Sequence, residues 1–194
     1  MTAPLIISYY TNDWVYPEHA DRFIKECQQF GLDHYVVEKP TTNDYIRNTA
    51  IKPFFIRECL INFKRPVFWV DVDAMILQPV TEPPDVFDIA ACKYFNSNLN
   101  RTWAVASLWF NYTPAALAFL DEWCNRAELG TDEAAFDSAW QATGSQVKIG
   151  VLPETYHFVK WSHRLEIPDN TVICHQLSKS EDKMRRKEKS NNDC

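Results

Sequence analysis

The sequence predicts an α/β protein with a Rossmann-like architecture, a mostly parallel central sheet flanked by helices. Short apolar runs alternate with segments of helical apolar spacing in the first part of the chain. A strand–helix–strand–helix–strand order of this kind builds a parallel sheet with right-handed crossovers. One of the runs, Val-Phe-Trp-Val at residues 67–70, has no polar position. Such a run is typical of a strand that is buried on both faces of a sheet.

The first half of the chain is predicted as three strands and two helices. Residues 4–10 form the first strand and residues 34–38 the second, and the third begins in the apolar run at residues 67–70 and carries Asp71 and Asp73 at its carboxyl end. The first helix follows from Pro17 and ends at Gly31, because proline favours the first turn of a helix and glycine its end. The second helix spans residues 49–63, and we expect Pro53 to interrupt it.

The second half continues the alternation. Thr113 is predicted to cap a helix that has Pro114 at its first position and runs to about residue 128. A further helix covers residues 130–143. Strands are predicted at residues 85–92, 103–111, 147–152 and 171–174.

Composition limits the protein to a folded globular class. The chain has 194 residues, 46% of them hydrophobic, and a net charge of −6. The negative charge argues against a protein that coats nucleic acid without specificity. We expect one domain over residues 1–180 and a basic tail over residues 181–194. This tail is either a solvated, flexible end or a contact for a phosphate-bearing acceptor.

The six cysteines are scattered and form no C-x-x-C pair. They are expected to be small buried residues with free thiols in a reducing compartment. The sequence contains no signal-peptide pattern and no apolar stretch long enough to span a membrane. A cytoplasmic location is therefore expected.

Two aspartates mark the end of the third strand. Asp71 and Asp73 follow the apolar run one residue apart, and side chains alternate along a strand, so both are expected to point the same way. They fall at the carboxyl end of the strand, where open α/β sheets bind ligands. Paired carboxylates suit Mg²⁺ or Mn²⁺. Alternatively, they cap nearby helices or pair with Lys52 or Arg57.

A histidine near the C-terminus extends this pattern. His175 directly follows the apolar strand at residues 171–174, and its imidazole could complete a metal site with two aspartates. Ser178 and Lys179 could hold a diphosphate beside it.

On residues 52–56, 67–79 and 172–179, the chain resembles nucleotide-sugar-dependent glycosyltransferases of the GT-A fold. The resemblance implies a Rossmann-like sheet and an Asp-x-Asp motif that binds Mn²⁺ or Mg²⁺ at the diphosphate of the donor. It implies Asp73 as the firmer metal ligand, Asp71 on the metal or the donor ribose, and His175 as a third ligand. A UDP-sugar is the expected donor.

The same resemblance implies further donor contacts. Tyr10, Thr11 and Asn12 at the end of the first strand would hold the base and ribose. Either Tyr9 or Tyr10 would stack on a uracil-type base, unless it is a core aromatic. Lys52 would reach the base or a phosphate, unless it is an ordinary surface lysine.

Two acids open the predicted helix at residues 130–143. Asp132 and Glu133 resemble the acidic element that this family carries near its reaction centre. In an inverting reaction, one of them would be the base that deprotonates the acceptor. The simpler alternative is that acids favour the first turn of any helix. Residues 107–111 and 161–163 would face the acceptor.

Together these features predict metal-dependent glycosyl transfer from a nucleoside-diphosphate sugar to an acceptor hydroxyl. One candidate acceptor is a modified base in phage DNA, because the basic tail could lie along a phosphate backbone. A polysaccharide precursor or a protein side chain is at least as compatible. A small transferase of this kind suits a bacterial cell or a phage-infected host. Two alternatives stay open, a non-catalytic nucleotide- or metal-binding module and a haloacid-dehalogenase-like phosphatase using Asp71. The phosphatase motif continues with Gly-Thr, where this chain has Ala74-Met75.

Overall fold

A computed structural model describes residues 3–42, 44–81, 87–93, 102–159 and 166–175. Within these ranges the strands are β1 (Leu5–Thr11), β2 (His34–Lys39), β3 (Val67–Val70), β4 (Met75–Ile76), β5 (Ile89–Lys93), β6 (Trp103–Phe110), β7 (Ile149–Val151), β8 (Phe158–Val159) and β9 (Ile173–His175). The helices are α1 (Tyr16–Gln29), α2 (Tyr45–Ala50), α3 (Lys52–Phe63), α4 (Pro114–Asn125) and α5 (Asp132–Thr143). Short 3₁₀ turns lie at Ala127–Leu129 and Glu154–Tyr156.

The main sheet of the described residues has six strands in the order β2-β1-β3-β6-β5-β7. Strand β6 is antiparallel to β3 and β5, and the other neighbouring pairs are parallel. The predicted α/β class with a mostly parallel, helix-flanked sheet is therefore confirmed. The reversed strand β6 and a second sheet of order β4-β9-β8 were not predicted.

Alternation along the strands gives the sheet two buried faces. Leu5, Ile7 and Trp69 pack on one face with α3, α4 and α5. Ile6 and Phe68 pack on the other face, against α1 and the small sheet. Successive residues of a strand point to opposite faces, so β1 and β3 contribute side chains to both layers.

The pairing of β6 changes register beside the carboxyl ends of the parallel strands. Ala91 of β5 pairs with Leu108, but its neighbour Cys92 pairs with Ala104. This irregularity interrupts the regular alternation of side chains along β6. Bulges of this kind often lie next to binding sites. It places Ser107, which pairs with Val70 of β3, close to the residues that follow β3.

The predicted helix at residues 49–63 is two helices. The side chain of Asp44 caps α2 by accepting bonds from the backbone N–H groups of Ile46 and Arg47, so that helix starts earlier than predicted. Pro53 lies in the first turn of α3. Proline lacks only an N–H that the first turn leaves unpaired, so it begins this helix instead of interrupting one.

Other boundaries agree with the sequence to within a few residues. Gly31 follows α1 with a φ of 64°, and the Leu32 N–H closes the helix on the Cys27 carbonyl at 2.9 Å. Thr113 caps α4, its hydroxyl accepting from the Ala116 N–H at 3.1 Å. The last predicted strand is shifted, because β9 includes His175 itself.

The described cysteines, Cys27, Cys59, Cys92, Cys124 and Cys174, are free thiols, as expected. Burial raises the pKa of the Cys27, Cys59 and Cys92 thiols to about 12. Among the helices that the structure describes, none has the length and apolar character needed to cross a membrane.

Candidate active site

A cavity of about 560 Å³ opens at the carboxyl ends of β1 and β3. Helix α2, the first residues of α3 and α5, the start of β6 and two histidines also line it, together with Asp13, Trp14, Tyr16 and residues 71–73. Its position agrees with the general rule that open α/β sheets bind ligands beyond the carboxyl ends of their strands.

Asp71 and Asp73 lie on a tight turn that directly follows β3. The strand ends at Val70, and the Ala74 N–H donates to the Asp71 carbonyl at 2.9 Å. Both aspartates line the cavity. The expected shared direction is thus compatible with the structure, but the reason given for it is wrong. The chain turns after Val70, so strand alternation does not orient these carboxylates.

Side chains of helix α1 bind the backbone at the end of this turn. Arg22 donates through Nη2 to the carbonyl of Ala74 at 2.6 Å and pairs through Nε with Glu26 at 3.2 Å. Glu26 in turn accepts a hydrogen bond from the Ile76 N–H at 2.8 Å. Two side chains one helical turn apart therefore fix the backbone on the C-terminal side of Asp73.

Lys52, in the first turn of α3, is buried beneath the aspartates and is only 3% exposed. Its Nζ lies 3.0 Å from Oδ1 of Asp71 and 2.5 Å from Oδ2 of Asp132. It also donates to the carbonyl of Val105 at 3.3 Å. An ammonium has three protons, and these three acceptors use them all. The alternative pairing of Asp71 with Lys52 is therefore observed.

The carboxylates decide the protonation of this lysine. Burial pulls the pKa of Lys52 down, but the charges of Asp132 and Asp71 outweigh it and hold that pKa well above its ordinary value. The pKa of Asp71 is raised, chiefly by burial. The charge of Lys52 lowers this pKa, and the charge of the nearby Asp73 raises it. Lys52 is accordingly a permanent cation inside an acidic cavity.

The hydrogen bonds of Asp71 leave its two oxygens unequal. Oδ1 accepts from the indole N–H of Trp69 at 2.9 Å as well as from Lys52. Oδ2 has no hydrogen-bond partner among the described residues, and the side chain is 33% exposed. Asp71 can therefore offer one oxygen to a ligand in the cavity.

The two acids of α5 have different environments. Asp132 is 7% exposed at its side chain, with Oδ2 paired to Lys52 and Oδ1 accepting from the Glu133 N–H at 3.1 Å. Both of its oxygens are occupied. Glu133 is only half-buried and also lines the cavity. The structure thus brings both predicted acids to the cavity and fixes the first.

His175 lines the cavity together with a second histidine, His157. The two rings lie 4.7 Å apart, and the Nδ1 atom of each is buried without a hydrogen-bond partner among the described residues. The pKa of each imidazole is lowered to about 3, mainly by burial, and in His157 the neighbouring His175 contributes to the decrease. Both rings are neutral at pH 7. Sequence reasoning missed His157, because it follows a 3₁₀ turn in a segment without apolar periodicity.

The carboxylate and imidazole groups in this cavity are ligand types that suit a divalent cation. Asp71, Asp73 and His175 all line one cavity, and Nδ1 of His175 is buried without a hydrogen-bond partner among the described residues. Over the described ranges, however, no group of three or more His, Cys, Asp or Glu side chains is already arranged to hold a metal ion. Metal ligation by Asp71, Asp73 and His175 therefore stays a prediction.

The predicted base-binding tyrosines are both engaged. Tyr9 donates to the carbonyl of Asn48 at 2.7 Å, and its ring contacts Trp69 and Phe55 at centroid distances of 5.1 Å and 5.5 Å. Burial raises the pKa of the Tyr9 phenol. Tyr9 is thus a core aromatic on the inner wall. Tyr10 reaches Glu38 at 3.5 Å.

The other predicted base-site residues divide. Thr11 is buried and lines the cavity, whereas Asn12 is exposed and does not line it. Two aromatics that the sequence did not single out also line the cavity, Trp14 at 47% exposed and Tyr45 at 63%. Trp14 has a φ of 56°, a left-handed backbone that a bulky residue seldom adopts and that is frequent at functional sites.

Several predicted positions lie outside the described residues. These are Ser178 and Lys179, residues 161–163 and the basic tail at residues 181–194.

Comparison with known proteins supplies a fold neighbour. No protein-family model matches the chain, and no curated protein does. Among solved structures, it is similar to a glycosyltransferase described as involved in the glycosylation of the major capsid of PBCV-1. The TM-score is 0.70 and the identity 10%, and the alignment covers 95% of this chain and all of the other. At this identity the likeness shows a shared fold.

Proposed function

We propose that this protein is a glycosyltransferase of the GT-A fold that moves a sugar from a nucleoside-diphosphate sugar to an acceptor hydroxyl. The observation that carries the proposal is the Asp71–Asp73 turn, which faces an acidic cavity at the carboxyl edge of the sheet. The similar fold of a known glycosyltransferase supports the same reaction class. The cavity of about 560 Å³ falls within the usual range for small-molecule sites, roughly 300–1,000 Å³.

In this proposal the donor diphosphate binds beside the turn. Asp73, the free Oδ2 of Asp71 and His175 would hold Mn²⁺ or Mg²⁺, with UDP as the expected nucleotide. When bound, the cation neutralises charge on the departing diphosphate. Lys52 acts indirectly, since its three protons are committed to protein acceptors, and it keeps Asp71 and Asp132 in place.

The acids of α5 would serve the sugar side of the reaction. Glycosyl transfer passes through an oxocarbenium-like state, which a fixed carboxylate such as that of Asp132 stabilises. Both Asp132 oxygens are occupied, so we assign the base of an inverting reaction to Glu133. The acceptor is proposed only as a hydroxyl. DNA as acceptor rests on the charge of residues 181–194 alone.

Thermal unfolding with a panel of nucleoside diphosphates, with and without Mn²⁺, tests the proposal. We expect the melting temperature to rise for one nucleotide in the presence of Mn²⁺, because a ligand that binds only the folded state stabilises it. Asp73→Asn should abolish this rise. Asp169→Asn, which changes an exposed acid that does not line the cavity, is the matched control and should preserve it.

No shift with any nucleotide would contradict the proposal. Release of phosphate from simple esters, with a covalent phosphate on Asp71, would instead support the phosphatase alternative. A nucleotide-dependent shift without donor hydrolysis or transfer would support a non-catalytic binding module.

A further inference from the structure

A single serine organises the inner wall behind the two histidines. Ser107 of β6 is fully buried and pairs with Val70, the last residue of β3. Its Oγ lies 2.8 Å from the carbonyl oxygen of Tyr156 and 2.8 Å from Nε2 of His175. Ser107 itself does not line the cavity, whereas His175 does.

The donors and acceptors among Ser107, the Tyr156 carbonyl and His175 can be assigned in one consistent way. A carbonyl oxygen only accepts, so the single hydroxyl proton of Ser107 is donated to Tyr156. Toward His175 the serine oxygen must therefore accept, and Nε2 must carry a proton.

The other imidazole nitrogen follows from this assignment. With Nε2 protonated, Nδ1 of His175 carries either a second proton or a free lone pair. A proton on Nδ1 would be a buried, unsatisfied N–H, because Nδ1 has no hydrogen-bond partner among the described residues, so Nδ1 keeps the lone pair.

We propose that Ser107 is a positioning residue, which holds His175 as the Nε2–H tautomer so that its Nδ1 lone pair can bind a divalent cation in the cavity. The nature of the ligand rests on the proposed function, whereas the tautomer rests on the contacts of Ser107 and on the buried, unpartnered Nδ1 of His175. Metal-binding histidines generally need such a partner on their second nitrogen, and losing it weakens metal affinity roughly 10- to 100-fold.

The fold supplies a matched control two strands away in the same sheet, where β3 lies between β1 and β6. Ser8 of β1 is also fully buried, but its hydroxyl has no hydrogen-bond partner among the described residues. Ser8→Ala therefore removes a buried serine hydroxyl from the same sheet without touching His175. Ser107→Thr keeps a hydroxyl at the position under test, in a residue type that strands favour.

The first measurement is ¹⁵N NMR of the histidine side chains in the metal-free protein at neutral pH. We expect His175 to show a protonated Nε2 and an unprotonated Nδ1 in the wild type, in Ser8→Ala and in Ser107→Thr. In Ser107→Ala we expect a mixture of tautomers. A protonated Nδ1 in the wild type, or an unaltered spectrum in Ser107→Ala, would overturn the proposal.

The second measurement is the affinity for Mn²⁺, by calorimetric titration in the presence of UDP. Ser107→Ala should bind Mn²⁺ roughly 10- to 100-fold more weakly than the wild type. Ser8→Ala and Ser107→Thr should match the wild type. Equal affinity in Ser107→Ala and wild type would overturn the inference. If Asp73→Asn nevertheless abolished Mn²⁺ binding in that case, the proposed function would stand and the role of Ser107 would not. No Mn²⁺ binding by any form would overturn both.

Discussion

The ion cluster around Lys52 is a closed set of charges. One buried ammonium serves Asp71, Asp132 and a backbone carbonyl, and each carboxylate has a further N–H donor on one oxygen. Removing one member of such a cluster leaves uncompensated charge in a poorly solvated place. Its stability therefore depends on all of its members.

We expect Lys52→Met to destabilise the fold strongly. Methionine has a similar length but no charge, so Asp71 and Asp132 would lose their shared partner. Breaking a buried ion pair from one side costs about 3–5 kcal/mol. Urea unfolding at neutral pH measures the change in the free energy of unfolding.

Arg57→Met is the control for this substitution. Arg57 pairs with Asp121, and their side chains are 40% and 54% exposed. Exposed pairs contribute about 1 kcal/mol or less. Equal losses in the two variants would show that the buried cluster has no special role in stability.

At the scale of single residues, the sequence predicts the acids better than their partners. Asp71 and Asp73 stand out because charges directly follow an apolar strand. The pairing of Asp71 with Lys52 was one of the predicted alternatives. The contacts of Lys52 with Asp132 and of His157 with His175 were not predicted, because they depend on segments that meet only in the folded chain. Trp14 gives no sequence signal, since its left-handed backbone is a property of the fold.

Among the elements, α1 has a role beyond packing. Arg22 and Glu26 project from one of its faces and bind the backbone of Ala74 and Ile76. The helix thereby sets the end of the turn that carries Asp71 and Asp73. Side chains at positions i and i+4 of a helix lie next to each other, and this spacing allows both to reach one segment.

We expect Arg22→Ala to weaken the Mn²⁺-dependent binding of a nucleotide. Arg22 is not among the residues that line the cavity. Without it, the Ala74 carbonyl loses its donor and the turn loses one of its two supports. A several-fold weaker affinity for UDP with Mn²⁺, measured by calorimetric titration, is the expected result. Unchanged affinity would show that the turn holds its own geometry.

Arg65→Ala is the matched control for the α1 contact. Arg65 is similarly exposed, at 26% against 28% for Arg22, and it also binds one acid and one carbonyl, those of Asp33 and Ala3. Both variants should lose comparable stability. Only Arg22→Ala should lose affinity.

Element type is predicted well from this sequence, and element direction is not. Apolar periodicity, Gly31 and Thr113 identify the helices and their ends, since these signals are local. The antiparallel direction of β6 depends on the route of the chain between β5 and β6, about which apolar pattern says nothing. The small sheet was missed because its strands have only two or three residues.

For the whole molecule, the α/β class followed from the order of elements alone, and a solved glycosyltransferase with 10% identity has a similar fold. Fold class depends on patterns that many sequences satisfy, so it persists when identity is this low. The candidate site depends on particular side chains. Its carboxylates were predicted, and so was a pairing with Lys52 as an alternative. The contacts of Lys52 with Asp132 and of Ser107 with His175 required the structure.

Two of the cysteines allow the opening of each layer of the protein to be measured separately. Cys59 lies in the layer of α3, α4 and α5, whereas Cys27 lies in the layer of α1, and both thiols are buried with a raised pKa. A thiol reacts as its exposed thiolate, so alkylation of either should require that layer to open.

In variants that keep one of these two thiols, we expect Cys27 and Cys59 to be alkylated at the same rate under native conditions. Strands β1 and β3 supply side chains to both layers, so neither layer can separate without disrupting the other. Mass spectrometry of the labelled protein over time gives both rates. Faster labelling at Cys27 alone would mean that α1 detaches by itself, and with it the support for the Asp71–Asp73 turn. The rate of alkylation of Cys27 would then report how often the edge of the sheet that carries this turn opens.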